Sequence, residues 1–510
     1  MVLMDFTELR VKKLGENSFA EIHEGLAHNF YELKQASLPE GEAKFAKTLQ
    51  KVIQGSNSIS ELGIIKELPE DFGEKIREEI VSIVEINGLN EKIPPKSIFS
   101  SLLVSLTEII SQVDFISDKD LFAKTVLQNS IGLKQLSFFP LDDSLEELMI
   151  NSLGNIFVFH REFGMCKTNL SIEERIFENI IQRIANTIGK EFNQDNPLLD
   201  ARLPDGSRVN ATYNIVSPKG ISLTIRKFLQ TPLTILDLIE KQAITSEAAA
   251  FLWLMTEGFG VAPKNILVTG GTASGKTTFL NTLSNFIRLN DRIISIEDTL
   301  ELALLDRENW VALEAKHSGN EITMDSLLKN SLRMRPDRLV VGEVRGKEAL
   351  TLFTAMDNGH AGCLGTVHAN NARELIIKLQ ERPFEVPRTM LPLVDLIVVM
   401  QRMYSKEGGM QRRVTQIAEV TRMENKVLLA NVYEINSSNE FVRSEVPSHI
   451  MEQIAEDVSV TKNEIKKEIE TRRLILEWLI EQNVRKPLEI LEFIQSYYFN
   501  PEKVLSMIYK

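Results

Sequence analysis

From Leu238 to about residue 435 the chain alternates two apolar patterns. Asn265-Ile266-Leu267-Val268, Ile293-Ile294-Ser295-Ile296, Arg338-Leu339-Val340-Val341 and Leu396 to Met400 are unbroken runs of strand length. A run without polar alternation is what a strand covered on both faces requires. Between these runs apolar residues recur three and four positions apart, the helix period. The alternation predicts a parallel α/β sheet. Val414 to Val420 and Lys426 to Tyr433, split by a short polar turn, predict an antiparallel hairpin at its end.

The flanks read differently. Residues 1 to 140 carry helix-period spacing over Phe19 to Ala36 and Glu42 to Ile53, with breaks at Pro39-Glu40-Gly41 and Pro94-Pro95. They are expected to form a helical N-terminal adaptor region. Residues 141–228 mix strand-like runs, Ile156 to Phe159 and Ile221 to Ile225, with one helical segment, Ile172 to Ile188. This predicts a small α+β domain. Within it Leu203-Pro204-Asp205-Gly206-Ser207 is a turn signal, followed by a strand. Residues 229–238, with Pro232, are the expected linker, and residues 239–440 the core. Residues 441–510 form an expected helical C-terminal extension, in which Thr461 caps a helix over Lys462 to Asn483.

Composition narrows the function classes. At roughly 150 residues per domain, 510 residues suggest several domains. The formal net charge of −13 weighs against a general nucleic-acid binder, which needs a basic surface. Two cysteines, Cys166 and Cys363, exclude a disulfide scaffold and favour a reducing compartment. No apolar run reaches the ~18 residues of a membrane span, and neither a signal peptide nor a lipidation motif is evident. A cytoplasmic protein is expected, one able to dock on a membrane protein.

Gly270-Gly271-Thr272-Ala273-Ser274-Gly275-Lys276-Thr277, followed by Thr278, fits the phosphate-loop pattern G-x-x-x-x-G-K-T. An apolar strand enters it and a helical pattern, Thr278 to Ile287, leaves it. The glycines let backbone N–H groups turn inward around phosphate oxygens. The helix points its positive end at the same anion. Lys276 is expected to reach the β- and γ-phosphates and Thr277 to hold Mg²⁺, so ATP and Mg²⁺ are the expected ligands.

Acids follow the next strands. Ile293 to Ile296 ends in Glu297-Asp298-Thr299-Leu300-Glu301, at the ligand edge of a parallel sheet. Glu297 is expected to orient water on Mg²⁺, the plain alternative being a solvated helix cap. Strand Leu339 to Val341 runs into Gly342-Glu343-Val344-Arg345-Gly346, so the place of the usual magnesium-binding aspartate is a glycine. Glu343 is the expected general base. His360 and His368 flank Cys363, but no further ligand at zinc-like spacing follows. His368, after a strand, is expected at the γ-phosphate or its water. Arg202, Arg208 and Arg226 precede the loop, and a guanidinium can neutralise charge that spreads over the transferred phosphoryl group.

Together these boxes resemble the secretion ATPases of type II and type IV systems. The resemblance is carried by the phosphate loop, by I-E-D-T-x-E-L (Ile296 to Leu302), by R-P-D-R-L-V-V-G-E-V-R-G (Arg335 to Gly346) and by G-H-A-G-C-L-G-T-V-H-A-N (Gly359 to Asn370). R-L-P-D-G-S-R-V-N (Arg202 to Asn210) and S-L-T-I-R-K-F (Ser222 to Phe228) extend it into the small domain. Within that family the archaellum motor ATPase is most similar, through Met334 to Arg338, His360 to Glu374, Thr471 to Trp478 and Tyr497 to Glu502.

The resemblance implies a fold class: α/β, a RecA-like P-loop core with a smaller α+β N-terminal domain and helical extensions at both ends. It implies a homo-hexamer that hydrolyses ATP, with Glu343 as catalytic glutamate, Glu297 as the acid near Mg²⁺ and His368 as the His-box histidine. Arg208 and Arg226, and more weakly Arg202, would engage phosphates as domains close. Implied partners are a polytopic membrane platform protein and accessory archaellum cytoplasmic proteins, with the ring peripheral at the inner face of the cell membrane. An archaeal type IV pilus or type II/IV secretion ATPase uses the same boxes. A RecA-like nucleic-acid translocase shares the sheet, and no nucleic acid is expected. A non-hydrolysing scaffold remains a separate class.

Overall fold

In the strand Arg208–Thr212, Val209 and Ala211 are buried while Arg208, Asn210 and Thr212 face away. That period of two is the mark of a sheet with one covered face. The computed structural model describes residues 2–3, 10–17, 20–25, 28–33, 38–55, 62, 68–69, 71–94, 96–131, 133–228, 232–316, 320–405, 409–423 and 426–509. The chain divides into two compact units, Met1–Phe228 and Leu229–Lys510.

The first unit is built on a nine-stranded sheet. In spatial order its strands are Arg10–Glu16, Ala20–Gly25, Asn29–Leu33, Gly164–Thr168, Asn155–His160, Leu145–Ser152, Ser222–Arg226, Arg208–Thr212 and Leu198–Arg202. Helix Glu174–Thr187 lays Phe177, Ile180, Ile181 and Ile184 on it. A separate core, with Leu49, Val52, Leu106, Ile110, Phe122 and Val126, joins helices Glu40–Ile53, Lys96–Ser111 and Lys119–Ser130.

The helical reading of Phe19 to Ala36 is corrected here. Ala20–Gly25 and Asn29–Leu33 are strands, while residues 19, 26–27 and 34–36 lie outside the described residues. The expectation of a mainly helical first 140 residues therefore fails at its start. The reason is tertiary: Asn29–Leu33 pairs in parallel with Gly164–Thr168, a sheet edge that lies far along the chain. Asp142, only 3% exposed, fastens the added strands. It accepts hydrogen bonds from the Tyr31 hydroxyl and, at 2.9 Å, from the Asn17 amide. The helix over Glu42 to Ile53 is present, as Glu40–Ile53.

The second unit carries the alternation read from the sequence. Its nine-stranded sheet runs Trp310–Glu314, Ile293–Glu297, Arg338–Val344, Leu364–Val367, Ile266–Gly270, Leu396–Ser405, Gly409–Met423, Lys426–Ile435 and Phe441–Arg443. The first six are parallel and the remainder antiparallel. Phe441–Arg443 thus belongs to the core sheet and not to the helical extension. The expected linker over 229–238 is shortened too. Helix Ile235–Glu240 starts inside it, held by a capping box between Thr234 and Asp237, while residues 229–231 lie outside the described residues.

The C-terminal helices close one face of this sheet. Helix Lys462–Glu481 begins at a capping box of Thr461 and Glu464. It places Arg472, 2% exposed, between Glu257 at 2.9 Å and Glu468 at 3.0 Å. The guanidinium lies 5.0 Å from the ring centroid of Trp253. The Trp253 indole donates to the Tyr498 hydroxyl at 2.6 Å, and that hydroxyl donates to the carbonyl of Phe286 at 2.8 Å. Among the described residues no helix is long and apolar enough to cross a membrane.

Asp142 gives the first test. Burial pushes its carboxyl up, but hydrogen bonds from Ser144, Tyr31 and Asn17 outweigh this and hold it below the usual range. Its stabilisation is therefore present above the unfolded-state value and is lost as pH falls through the lower folded value. Asp142→Ala strands buried donors at a cost of about 3 kcal/mol. Protection factors of the amides of Ala20–Gly25 and Asn29–Leu33 are expected to fall about 100-fold, and those of the wild type are expected to fall likewise on acidification. Unchanged protection in the variant rules out this anchoring.

Candidate functional site

Parallel pairing aligns strand ends, and the chemistry sits on one such edge. Ile266–Gly270 pairs Thr269 with Val367 on one side and Gly270 with Met400 on the other. The loop then turns through Ala273 at φ 57° and Gly275 at φ 92° into helix Lys276–Ser284. The helix begins at the lysine, two residues before the expected start at Thr278. Gly270 is reserved by space, because a Cβ there would collide with the carbonyl of Met400 and the Ser274 hydroxyl.

The Lys276 ammonium is 9% exposed and donates to the carbonyl of Gly271 at 3.0 Å. Burial depresses its titration, and Glu343 and Glu301 oppose this while Arg345 and Lys378 reinforce it. The Ser274 hydroxyl is buried with no hydrogen-bond partner among the described residues. A buried cation, an unsatisfied hydroxyl and the positive end of a helix converge on one loop, and this donor set fits the phosphates of a nucleotide. Thr278 is half-buried on the first turn.

The acids lie on adjoining strands. Ile296 pairs with Val341, so Glu297 leaves its strand beside Gly342. Glu297 is 1% exposed and accepts the N–H groups of Glu301 at 2.6 Å and Leu302 at 2.9 Å. A solvated helix cap is thereby excluded. Gly342 and Glu343 fall in a register shift between Val341 and Val344. An extra residue of this kind bends the strand and re-aims its side chains. Glu343 is gripped by Arg345, whose Nη2 lies 2.5 Å and Nε 2.9 Å from Oε2. Arg345 also reaches Asp298 at 3.3 Å.

His368 follows strand Leu364–Val367. Burial lowers its titration first, then Lys276 and Lys378, against Glu343 and Glu374. His368 thus shares one electrostatic neighbourhood with Lys276 and Glu343. Cys363 is fully buried, its thiol pushed up to about 12 and donating to the carbonyl of His360 at 3.1 Å. Among the described residues no three His, Cys, Asp or Glu side chains form a metal cluster. Mg²⁺ fits differently, since it is commonly held by one or two protein oxygens together with phosphate oxygens and water. Thr277 at the helix start and the buried Glu297 carboxylate are oxygen donors of that class.

The arginines are brought together by register. Arg208 lies directly opposite Arg226 on one neighbouring strand and Arg202 on the other. Directly opposed residues share a face, so three cations line up across the uncovered side of the sheet. Glu147 lies 3.6 Å from Arg226, and Arg202 donates to the carbonyl of Gly206 at 3.2 Å. This row belongs to the first unit, and the loop with its acids to the second.

Sequence reasoning missed Arg412, whose Nε donates to the carbonyl of Ala273 at 3.1 Å. An arginine beside Arg413 on a hairpin strand gives no spacing signal. Lys378 was missed likewise; it donates to the carbonyl of His368 at 2.5 Å from the following helix, Ala372–Gln380. The His368 imidazole is expected to titrate below the ordinary ~6.5 and to be neutral at pH 7. Lys378→Met should move its NMR titration midpoint upward. A midpoint that stays in place contradicts this electrostatic assignment.

Comparison with known proteins adds to this geometry. A family model described as "Type II/IV secretion system protein" matches residues 137–489. An uncharacterized protein of Methanocaldococcus jannaschii is 30% identical, covering 74% of this chain and 77% of its own length. The type IV secretion system protein VirB11 of Brucella suis is 29% identical, over 56% of this chain and 89% of its own. The crystal structure of the Brucella suis VirB11 ATPase in complex with sulphate shares 25% identity over 56% of this chain and 96% of that one, with a TM-score of 0.29. The family match takes in the arginine row, the phosphate loop, both acids and His368, and the chain belongs to the type II/IV secretion system protein family.

Proposed function

We propose that this chain is the ATP-hydrolysing motor subunit of a type II/IV-type secretion or pilus-like machine. The observation that carries this reading is a buried phosphate-loop lysine set at one sheet edge with Glu343, Glu297 and His368. Lys276 and the N–H groups of residues 270–278 hold the phosphates. The Thr277 hydroxyl and the Glu297 carboxylate hold and orient the magnesium that accompanies ATP, whose chemistry is to neutralise phosphate charge. Glu343, oriented by Arg345, takes the proton of the attacking water. A neutral His368 senses the γ-phosphate. Arg202, Arg208 and Arg226 are the first unit's cations for charge on the transferred group.

Loss of the γ-phosphate removes those contacts, and the resulting domain motion is the stroke. Six copies in a ring would pass it to a polytopic membrane platform protein from the cytoplasmic side. For the machine served, we propose archaellum assembly and rotation, together with accessory archaellum proteins. The support is the set of sequence segments quoted above. Two of them, Thr471 to Trp478 and Tyr497 to Glu502, meet around Trp253. The likeness to VirB11 favours the second reading, an archaeal pilus or secretion ATPase.

Turnover of ATP against protein concentration tests the engine. It is expected to rise cooperatively, to ignore added DNA and to fall about 100-fold or more in Glu343→Gln with nucleotide binding kept. DNA-stimulated turnover would favour a nucleic-acid translocase, and turnover untouched by Glu343→Gln removes its role as base. A gene deletion separates the machines: loss of swimming supports the archaellum, and loss of surface pili with swimming intact supports the alternative.

A further inference from the structure

Gly342 stands where many phosphate-loop proteins end the strand in a magnesium-binding aspartate. Its backbone does not adopt a positive φ, so conformational freedom does not reserve the position. Space does. A Cβ on Gly342 would lie 2.8 Å from Cγ and 3.4 Å from Cβ of Glu297. These are the inner atoms of that side chain, not a flexible tip. Glu297 is held where it is by the N–H groups of Glu301 at 2.6 Å and Leu302 at 2.9 Å. Gly342 is held too, its carbonyl accepting the Thr366 hydroxyl at 2.7 Å.

We infer that Gly342 is a positioning residue, whose missing side chain lets strand Ile293–Glu297 deliver the carboxylate usually mounted on the Gly342 strand itself. The acid has changed strands, and glycine and glutamate form one unit: the glutamate fills the volume in which an aspartate at residue 342 would stand. A side chain at 342 must displace the Glu297 carboxylate, and with it an oxygen that orients magnesium water. This inference rests on the magnesium–nucleotide reading above.

The test uses the full chain as wild type, Gly342→Ala, Gly342→Ala/Glu297→Asp and Gly342→Asp/Glu297→Ala. The affinity of a fluorescent ADP analogue is measured against magnesium concentration and again in EDTA, alongside thermal melting. Gly342→Ala is expected to raise the magnesium needed for half-maximal binding about 10–100-fold, with affinity in EDTA unchanged. Shortening the acid in Gly342→Ala/Glu297→Asp should recover about tenfold of that loss, and Gly342→Asp/Glu297→Ala should recover at least as much. Wild-type magnesium dependence in Gly342→Ala overturns the inference. So does a double variant that regains melting temperature without regaining magnesium dependence, because the steric conflict then matters only to folding. A wild-type chain that binds the analogue without any effect of magnesium overturns the underlying reading itself, an outcome distinct from normal wild-type behaviour with an indifferent Gly342→Ala.

Discussion

Parallel register is the constraint on which the site depends. Strands of one direction, paired side by side, end on one edge, and their terminal residues become neighbours however far apart they stand in the chain. Thr269 beside Val367, Gly270 beside Met400 and Ile296 beside Val341 are the pairings that do this. Each places the next residues of its strand, namely the phosphate loop, His368 and Glu297, at the same rim. The register shift after Val341 then turns Glu343 toward that rim.

Burial gives this rim its chemistry. Lys276, Glu297 and the Ser274 hydroxyl are nearly removed from solvent. In such surroundings a charge or dipole acts on a ligand far more strongly than in water. The cost of keeping them there is offset by backbone groups: the Gly271 carbonyl for the lysine, and two N–H groups for the glutamate. The exposed Arg345 and the half-buried Asp298 mark the side where the polar network opens to solvent.

A second buried network ties the C-terminal helices to the sheet. Glu257, fully buried, accepts Arg472 and, at 2.7 Å, Arg288. Such a group of charges is tolerated only when every member is paired. Trp253, stacked on Phe286, gives the guanidinium an aromatic face. Helix Lys462–Glu481 is thereby fixed to the helix Ser246–Glu257, which packs against the one leaving the phosphate loop. The C-terminal helices and the nucleotide loop thus share one core.

The sequence by itself determined the parallel core, the phosphate loop and the acids after the second and third apolar runs. These are local signals, since continuous apolar runs, glycine spacing and strand-end acids need no partner to be read. The capping residue Thr461 was legible in the same way, while its partner Glu464 was not. Tertiary structure alone decided the rest. Ala20–Gly25 and Asn29–Leu33 became strands because a distant edge and Asp142 were there to receive them, and a short amphipathic window carries no record of that. The alignment of Arg202, Arg208 and Arg226 depends on pairing register, which single residues do not encode. That Glu297 fills the space beside Gly342 is decided by packed volume. Sequence names the residue at each place; only packing says which neighbour fills the space it leaves.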